Sequence, residues 1–279
     1  MEYVKLGNTG MEVSKLCLGC MGFGEPERGR EKWSIGEAES RDVIKKALDS
    51  GINFFDTANL YSAGSSEEIV GKALKDFANR DEIVLASKLY FPMFDGPNAK
   101  GLSRKSIFAE IDHSLKRLQT DYLDLYIIHR WDYGTPIEET MEALHDLVKM
   151  GKVRYIGASS MHAWQFAKAQ FIAEKNGWTK FVSMQNLYNL LYREEEREMI
   201  PLLQDRKVAM TPWSPLAGGR LTRDIGAVTA RTSQAVEANL PAYIVASDNE
   251  IISRVHKLAD ERGITRGQVA TAWMLSKDY

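Results

Sequence analysis

Apolar positions along the chain switch between two spacings. Near the N-terminus Tyr3, Val4, Lys5 and Leu6 alternate, followed by the turn Gly7-Asn8-Thr9-Gly10 and then Met11 to Ser14, which predicts a β-hairpin. Leu16 to Gly19 is a short apolar run ending in glycine. Thereafter helical stripes and short strands take turns. Ile44, Ala47 and Leu48 precede a strand at Ile52 to Asp56. Ile69, Val70, Ala73, Leu74 and Phe77 precede a strand at Ile83 to Lys88. Ile107, Ile111, Leu115 and Leu118 precede Tyr122 to His129, and Met141, Leu144, Leu147 and Val148 precede Val153 to Ser159. Helical patterns at Trp164 to Ala173 and Arg193 to Leu203 precede strands at Phe181 to Leu187 and Val208 to Ser214. Two more, Arg254 to Arg262 and Gln268 to Lys277, lie towards the C-terminus.

Strand starts recur about every 30 residues, the length of a βα unit. Strict alternation, with no Pro, Gly or Ser-rich linker, predicts one α/β domain over residues 1–279 around a parallel sheet covered on both sides. The sheet is either an open doubly wound one or a (β/α)8 barrel. Gly19 to Gly24 reads GCMGFG, which does not match G-x-G-x-x-G, and no Walker A motif occurs, so the open nucleotide-binding sheet is disfavoured.

Composition narrows the class. The chain has 279 residues, 44% hydrophobic and 27% charged, which suits a large folded core and excludes a disordered chain. Lys plus Arg is 36 and Asp plus Glu is 38, for a net charge of −2, so nothing global draws the protein to nucleic acid or anionic membrane. No apolar run is long enough to span a bilayer and no secretory signal is visible. Only Cys17 and Cys20 are present, so a disulfide framework is excluded and a reducing, cytoplasmic location is expected. Their C-x-x-C spacing falls at a strand end, not at a helix N-terminus. It should turn the thiols to opposite faces, so a structural role is favoured over a redox one.

Polar residues end several strands: Asp56, Lys88 and His129. Alternate strand residues share a face, so Lys88 lies with Val84 and Ala86, and His129 with Leu125 and Ile127. Each has an ordinary explanation: a cap for Asp56, a solvated lysine for Lys88, a hydrogen-bonded core histidine for His129, a half-buried aromatic for Tyr61. Their recurrence at equivalent places in different βα units points instead to a shared site at the C-terminal mouth of a barrel. The five histidines show no metal-ligand spacing.

The segments INFFDTANLYSAGSSEEIVGKAL, IVLASKL, DYLDLYIIHRWD, YIGASS, VSMQNLYN and TPWSPLAGG, in that order, resemble the aldo-keto reductases, in particular a bacterial-type branch near the potassium-channel β-subunits. The resemblance implies a (β/α)8 barrel that binds NADPH and reduces aldehydes or ketones to alcohols. It implies a catalytic tetrad of Asp56, Tyr61, Lys88 and His129. Lys88 would lower the tyrosine pKa so that Tyr61 serves as general acid, Asp56 would keep Lys88 charged, and His129 would orient the carbonyl. It further implies that Ser159, Ser160 and Gln185 bind the nicotinamide carboxamide and that Trp213 stacks on the ring. Ser214, Pro215, Leu216, Gly218 and Arg220, within the turn Ser214 to Arg220, would hold the pyrophosphate, and Arg231 would reach towards the adenosine phosphates.

The substrate wall is expected from Met21, Phe23, Tyr90 to Phe94, Trp131 and Tyr133, an apolar and aromatic surface for a small aldehyde or ketone. An eighth strand and last helix of the family, with its basic 2′-phosphate clamp, are not expected within these residues. That leaves NADPH against NADH open, as it leaves the oligomeric state. Two rival readings share these motifs: a regulatory subunit that binds NADPH with little turnover, and a Schiff-base lyase using Lys88. Channel β-subunits typically carry Asn in place of His129, so His129 favours the enzyme. The set Ser159, Gln185 and Trp213 disfavours the lyase.

Overall fold

The computed structural model describes residues 1–29, 31–227 and 247–277. Arg231 lies outside the described residues. Two compact units are present, one of Met1–Met184 with Lys207–Ala209, the other of Gln185–Arg206 with Met210–Tyr279.

The N-terminal hairpin pairs β1 (Tyr3–Lys5) with β2 (Glu12–Ser14) antiparallel, as the alternation predicted. Seven further strands follow: β3 (Cys17–Gly19), β4 (Phe54–Asp56), β5 (Val84–Leu89), β6 (Leu123–Ile128), β7 (Val153–Ser159), β8 (Phe181–Gln185) and β9 (Ala209–Met210). They form one sheet in chain order, with the pairings from β3 to β7 parallel. A doubly wound sheet would reverse its order at a switch point, whereas a barrel is wound in one direction. The unbroken order is the barrel's.

Helices lie between the strands: α1 (Glu37–Asp49), α2 (Ser65–Phe77), α3 (Arg104–Leu118), α4 (Ile137–Lys149), α5 (Ala163–Asn176) and α6 (Met199–Arg206), followed by α7 (Asp248–Arg262) and α8 (Arg266–Leu275). Their ends follow local chemistry. The Ser103 side chain accepts from Ser106 N–H to start α3, and Thr265 with Gln268 forms a capping box on α8. Gly177, at φ 68°, takes the left-handed turn that ends α5. No described helix is long and apolar enough to cross a membrane.

Two expected elements are shorter than their patterns. The helical stripe from Arg193 to Leu203 divides into a 3-10 turn, Glu194–Glu196, and α6. Starting at Met199 places Pro201 in the first turn, where its missing N–H costs nothing; in a continuous helix its ring would clash one turn back. The strand expected over Val208 to Ser214 is regular only at Ala209–Met210, because Pro212 cannot donate to a ladder. Beyond it, a single parallel bridge joins Leu187 to Trp213.

The strand faces decide where chemistry sits. Phe54, Val84, Ala86, Leu125 and Ile127 form one buried cluster with Leu6 and Val13 of the hairpin. Two positions on along the same faces come Asp56, Lys88 and His129. The face is apolar at its start and ionisable at its end. In the second unit Leu221, Ile252, Val255, Ala259, Val269 and Ala270 form a separate core, joined by Leu190, Leu191, Leu216 and Ala217.

Helices α2 and α3 meet at Gly71. A methyl there would lie 2.4 Å from the Leu118 carbonyl oxygen and 2.6 Å from Leu118 Cα. Gly→Ala in a helix interior ordinarily stabilises by roughly 1 kcal/mol. Here the sign should reverse: Gly71→Ala is expected to destabilise by about 1–3 kcal/mol through overpacking, read as a lower urea midpoint. An unchanged or higher midpoint would show that the two helices separate at little cost.

Candidate active site

Lys88 is fully buried at the end of β5. Its ammonium is satisfied three times: it is ion-paired with Asp56 Oδ1, donates to the Thr57 carbonyl at 2.8 Å, and donates to the Tyr61 hydroxyl oxygen at 3.1 Å. An ammonium has three N–H bonds, so this set uses all of them. Burial alone would lower the Lys88 pKa, but the Asp56 carboxylate and the Tyr61 oxygen outweigh it and hold the pKa above the usual lysine range.

Strand geometry brings the partners in. The Thr57 N–H donates to the Ala86 carbonyl and the Asn59 N–H to the Lys88 carbonyl, so the loop after β4 continues alongside β5. This carries Tyr61 back over the lysine. His129 follows β6, its N–H donating to the Leu89 carbonyl, and its ring stands edge-on to Tyr61 with centroids 5.8 Å apart. The first unit thus brings together all four expected residues, each buried.

One expectation is corrected. Lys88 does act to lower the Tyr61 pKa, but burial of the phenol is the larger effect, and the net direction is upward. In this state the Tyr61 phenol holds its proton more firmly than an exposed tyrosine does.

The turn that follows Tyr61 is unusual. Ser62 and Ala63 have φ of 45° and 50°, and Gly64 has 90°. Left-handed backbone costs a non-glycine residue roughly 1–2 kcal/mol. The segment before α1 packs on this turn. The Ser62 N–H donates to Glu31 Oε2 at 3.3 Å, Arg28 donates to the Ala63 carbonyl at 3.2 Å, and the Glu25 N–H donates to Ser65 Oγ at 2.9 Å. Gly24 and Gly29 touch Ser62 so closely that a Cβ on either would fall about 2.3–2.4 Å from its atoms.

Behind β5 a second buried charge network faces the other way. Ser87 donates to Glu67 Oε1 at 2.5 Å, and Arg117 of α3 donates to Glu67 Oε2 at 2.6 Å. Glu67 and Ser87 are fully buried. None of this was visible in the sequence, where Glu67 looks like an ordinary acid in a helix first turn.

Of the expected substrate wall, Phe91 stands edge-on to the His129 ring at 5.1 Å, with the Arg130 guanidinium 5.4 Å from its centroid. Phe23 belongs to the buried core instead, bridged to Ile35, and Phe94 and Tyr133 are exposed. Tyr133 is tied through its hydroxyl to Gln165 at 2.9 Å.

The expected cofactor residues divide between the units. In the first, Ser159 is buried at the end of β7, with its hydroxyl 3.1 Å from that of Ser160, whose φ is 52°. In the second, Gln185 is buried, and the Trp213 N–H donates to the Asn186 carbonyl at 3.0 Å. Asn189 anchors the following turn by donating to the Ser214 carbonyl at 3.0 Å. Ser214, Ala217, Gly218 and Gly219 all have positive φ, at 53°, 51°, 66° and 98°. The N–H groups of Ala217, Gly219 and Arg220 donate within this turn, to Ser214, Leu216 and Ala217. They close the loop on itself and are not spare donors for a pyrophosphate in this conformation. Pro215 is exposed, Leu216 packs on the second core, and Arg220 pairs with the buried Asp248 at 2.9 Å. Cys17 is exposed and Cys20 buried, both free. Burial, reinforced by Asp56, pushes the Cys20 thiol well above the usual range, which suits a structural residue.

A lysine, tyrosine, carboxylate and histidine, all buried, thus meet at the strand ends of a singly wound α/β sheet. Residues 15–279 match the model of the aldo/keto reductase family. The chain is 47% identical over 297 residues to versiconal hemiacetal acetate reductase of Aspergillus parasiticus, covering 99% of this chain and 86% of that protein. It is 45% identical to an aldo-keto reductase of Alternaria alternata and 41% identical to one of Metarhizium robertsii, in each case over 98% of this chain and 80% of the relative. The chain belongs to the aldo/keto reductase family. Its members are (β/α)8 barrels and oxidoreductases acting on carbonyls and alcohols, typically with NAD(P)H.

Removing Asp56 would leave the Lys88 ammonium buried beside a phenol and one carbonyl. Asp56→Ala is expected to cost about 3–5 kcal/mol in urea unfolding, and adding Lys88→Met to recover most of it. The folded protein holds the Lys88 proton more tightly than the unfolded chain, whose lysines titrate near about 10.4. The stabilisation it gives is therefore complete below that pH and is lost as pH rises towards the higher folded value. Alkaline loss of stability should be smaller in the double variant than in the parent. Equal losses would refute the linkage.

Proposed function

We propose that the chain is an NADPH-dependent carbonyl reductase that converts a small aldehyde or ketone to an alcohol, with Tyr61 as general acid. The observation that carries this reading is the Lys88 bond to Tyr61. Lys88 donates to the phenol oxygen, so the phenol's own hydrogen remains for another acceptor. A carbonyl oxygen held there would accept it.

The donor set fits a nicotinamide. Ser159, Ser160 and Gln185 offer hydroxyl and amide groups that match a carboxamide, and Trp213 offers an indole face for the ring. Pro215, Leu216, Gly218 and Arg220 would lie along the phosphates, Arg220 exchanging part of its bond to Asp248 for them. When bound, the reduced nicotinamide supplies a hydride to the carbonyl carbon. The carbonyl π electrons then move onto oxygen, and Tyr61 transfers its proton to that oxygen. The Lys88 ammonium stabilises the phenolate left behind until solvent returns the proton. His129 donates a hydrogen bond to the same oxygen and fixes its direction. Asp56 holds Lys88 charged and in place. A lysine saturated by three acceptors and held protonated is a poor amine nucleophile, which counts against the Schiff-base reading.

On this reading the chain works as a reductase on a small carbonyl compound in a reducing cytoplasm, where both cysteines stay thiols. Neither nucleic acid nor membrane takes part.

Tyr61→Phe should lower kcat for 4-nitrobenzaldehyde by about 10²–10⁴-fold while leaving NADPH binding within a few-fold. Because the phenol pKa is raised, kcat should stay flat through neutral pH and decline only on the alkaline side, where the proton is lost. Full turnover in Tyr61→Phe would overturn the mechanism. Tight NADPH binding with no turnover across a panel of carbonyls would favour the regulatory reading.

A further inference from the structure

The left-handed turn after Tyr61 is the least favourable stretch of backbone beside the site, and a segment distant in sequence holds it. Three consecutive residues, Ser62, Ala63 and Gly64, have positive φ, and only the third is glycine. Left to itself, the chain would relax Ser62 and Ala63 to negative φ. Ser62 directly follows Tyr61, so such a relaxation swings the phenol. Three features oppose it. Glu31, buried 31 residues upstream, accepts from the Ser62 N–H. Gly24 and Gly29 press on Ser62 so closely that no side chain could stand at either position. Arg28 donates to the Ala63 carbonyl and is itself held by Glu68 at 2.6 Å.

Arg28 and Glu68 are partly exposed, and their bond spans a solvent-facing edge. Among the described residues of the segment, Glu31 is the charged group that reaches the turn from a buried position. At 3.3 Å the contact is long, so its hold is mainly electrostatic: a buried carboxylate attracts the Ser62 N–H dipole where little water screens it.

We propose that Glu31 is a positioning residue for Tyr61: its carboxylate clamps the Ser62–Ala63 left-handed turn and so sets where the phenol stands relative to Lys88 and His129. This rests on the reading of Tyr61 as the general acid. It adds that the alignment of that acid is supplied from the segment between β3 and α1. The clamp acts on orientation, so its loss should fall on the chemical step more than on substrate binding.

The test uses the full chain. Glu31→Ala is expected to lower kcat about 10- to 100-fold, with KM and NADPH affinity changed less than threefold. Glu31→Gln keeps an oxygen acceptor at the same place and should retain most of kcat. Adding Ser62→Gly and Ala63→Gly to Glu31→Ala lets the turn keep its angles without a clamp and should restore part of the loss. A second readout is independent of turnover. With tyrosines labelled by carbon-13 at Cζ, the Tyr61 signal is assigned by its disappearance in Tyr61→Phe. It should move in Glu31→Ala and return to the parent position in Glu31→Gln.

A Tyr61 signal unmoved in Glu31→Ala, or kcat within twofold of the parent, overturns the proposal. If Glu31→Ala does not fold, the triple variant decides: recovery of fold and turnover supports the clamp, and recovery of neither overturns it. If the parent itself reduces no carbonyl, the reading of Tyr61 as acid fails, and the labelled signal still tests the clamp.

Discussion

The site is organised around one buried positive charge. An ammonium carried out of water is tolerable only when every proton on it finds an acceptor and a negative charge lies beside it. Lys88 meets both conditions with Asp56, the Thr57 carbonyl and the Tyr61 oxygen. Those requirements reach well beyond one residue. They fix the register of β4 against β5, the path of the loop from Thr57 to Tyr61, and the face on which the phenol lies. The lysine thus works twice, as an electrostatic partner of Tyr61 and as the point on which the local backbone is built.

Much of this was legible in the sequence. The alternation of strands and helices gave the α/β class, and the parity of Val84, Ala86 and Lys88, or of Leu125, Ile127 and His129, placed the ionisable residues beyond the apolar interior. Periodicity works there because burial on both faces leaves few ways to arrange a short strand. The role of Tyr61 came from resemblance alone, since a tyrosine in a loop has no period to betray it. The site also depends on backbone groups that residue letters do not encode: the Thr57 carbonyl, the Ser62 N–H, and the three positive φ angles in succession. Glu31 and Glu67 escaped for a related reason. Each looks like a surface acid until a partner from a distant element is known, Ser62 for one and Arg117 for the other.

Two expectations yielded to competing physics. Proximity of a cation was expected to depress the Tyr61 pKa, but removing a phenol from water weighs more than the cation does, and the phenol remains protonated. Phe23 was expected at the substrate wall as one of the aromatic residues of its loops. It instead joins the core, where burying its ring is worth more than leaving it at a mouth.

The network behind β5 has a consequence for how the strand finds its place. Ser87 and Lys88 are neighbours pointing to opposite sides, one towards Glu67 and Arg117, the other towards Asp56 and Tyr61. A slip of β5 by a single residue would exchange them. It would turn the ammonium to the side where the Arg117 guanidinium already occupies Glu67, and would leave Asp56 facing Ser87 or Leu89. Hydrophobic burial alone is a weak guard against such an error, since the flanking residues Val84, Leu85, Ala86 and Leu89 are apolar on both faces. Charge supplies the missing discrimination. The ion pairs on the two sides of the strand are both satisfied only in the alignment that turns Lys88 towards Asp56 and Ser87 towards Glu67.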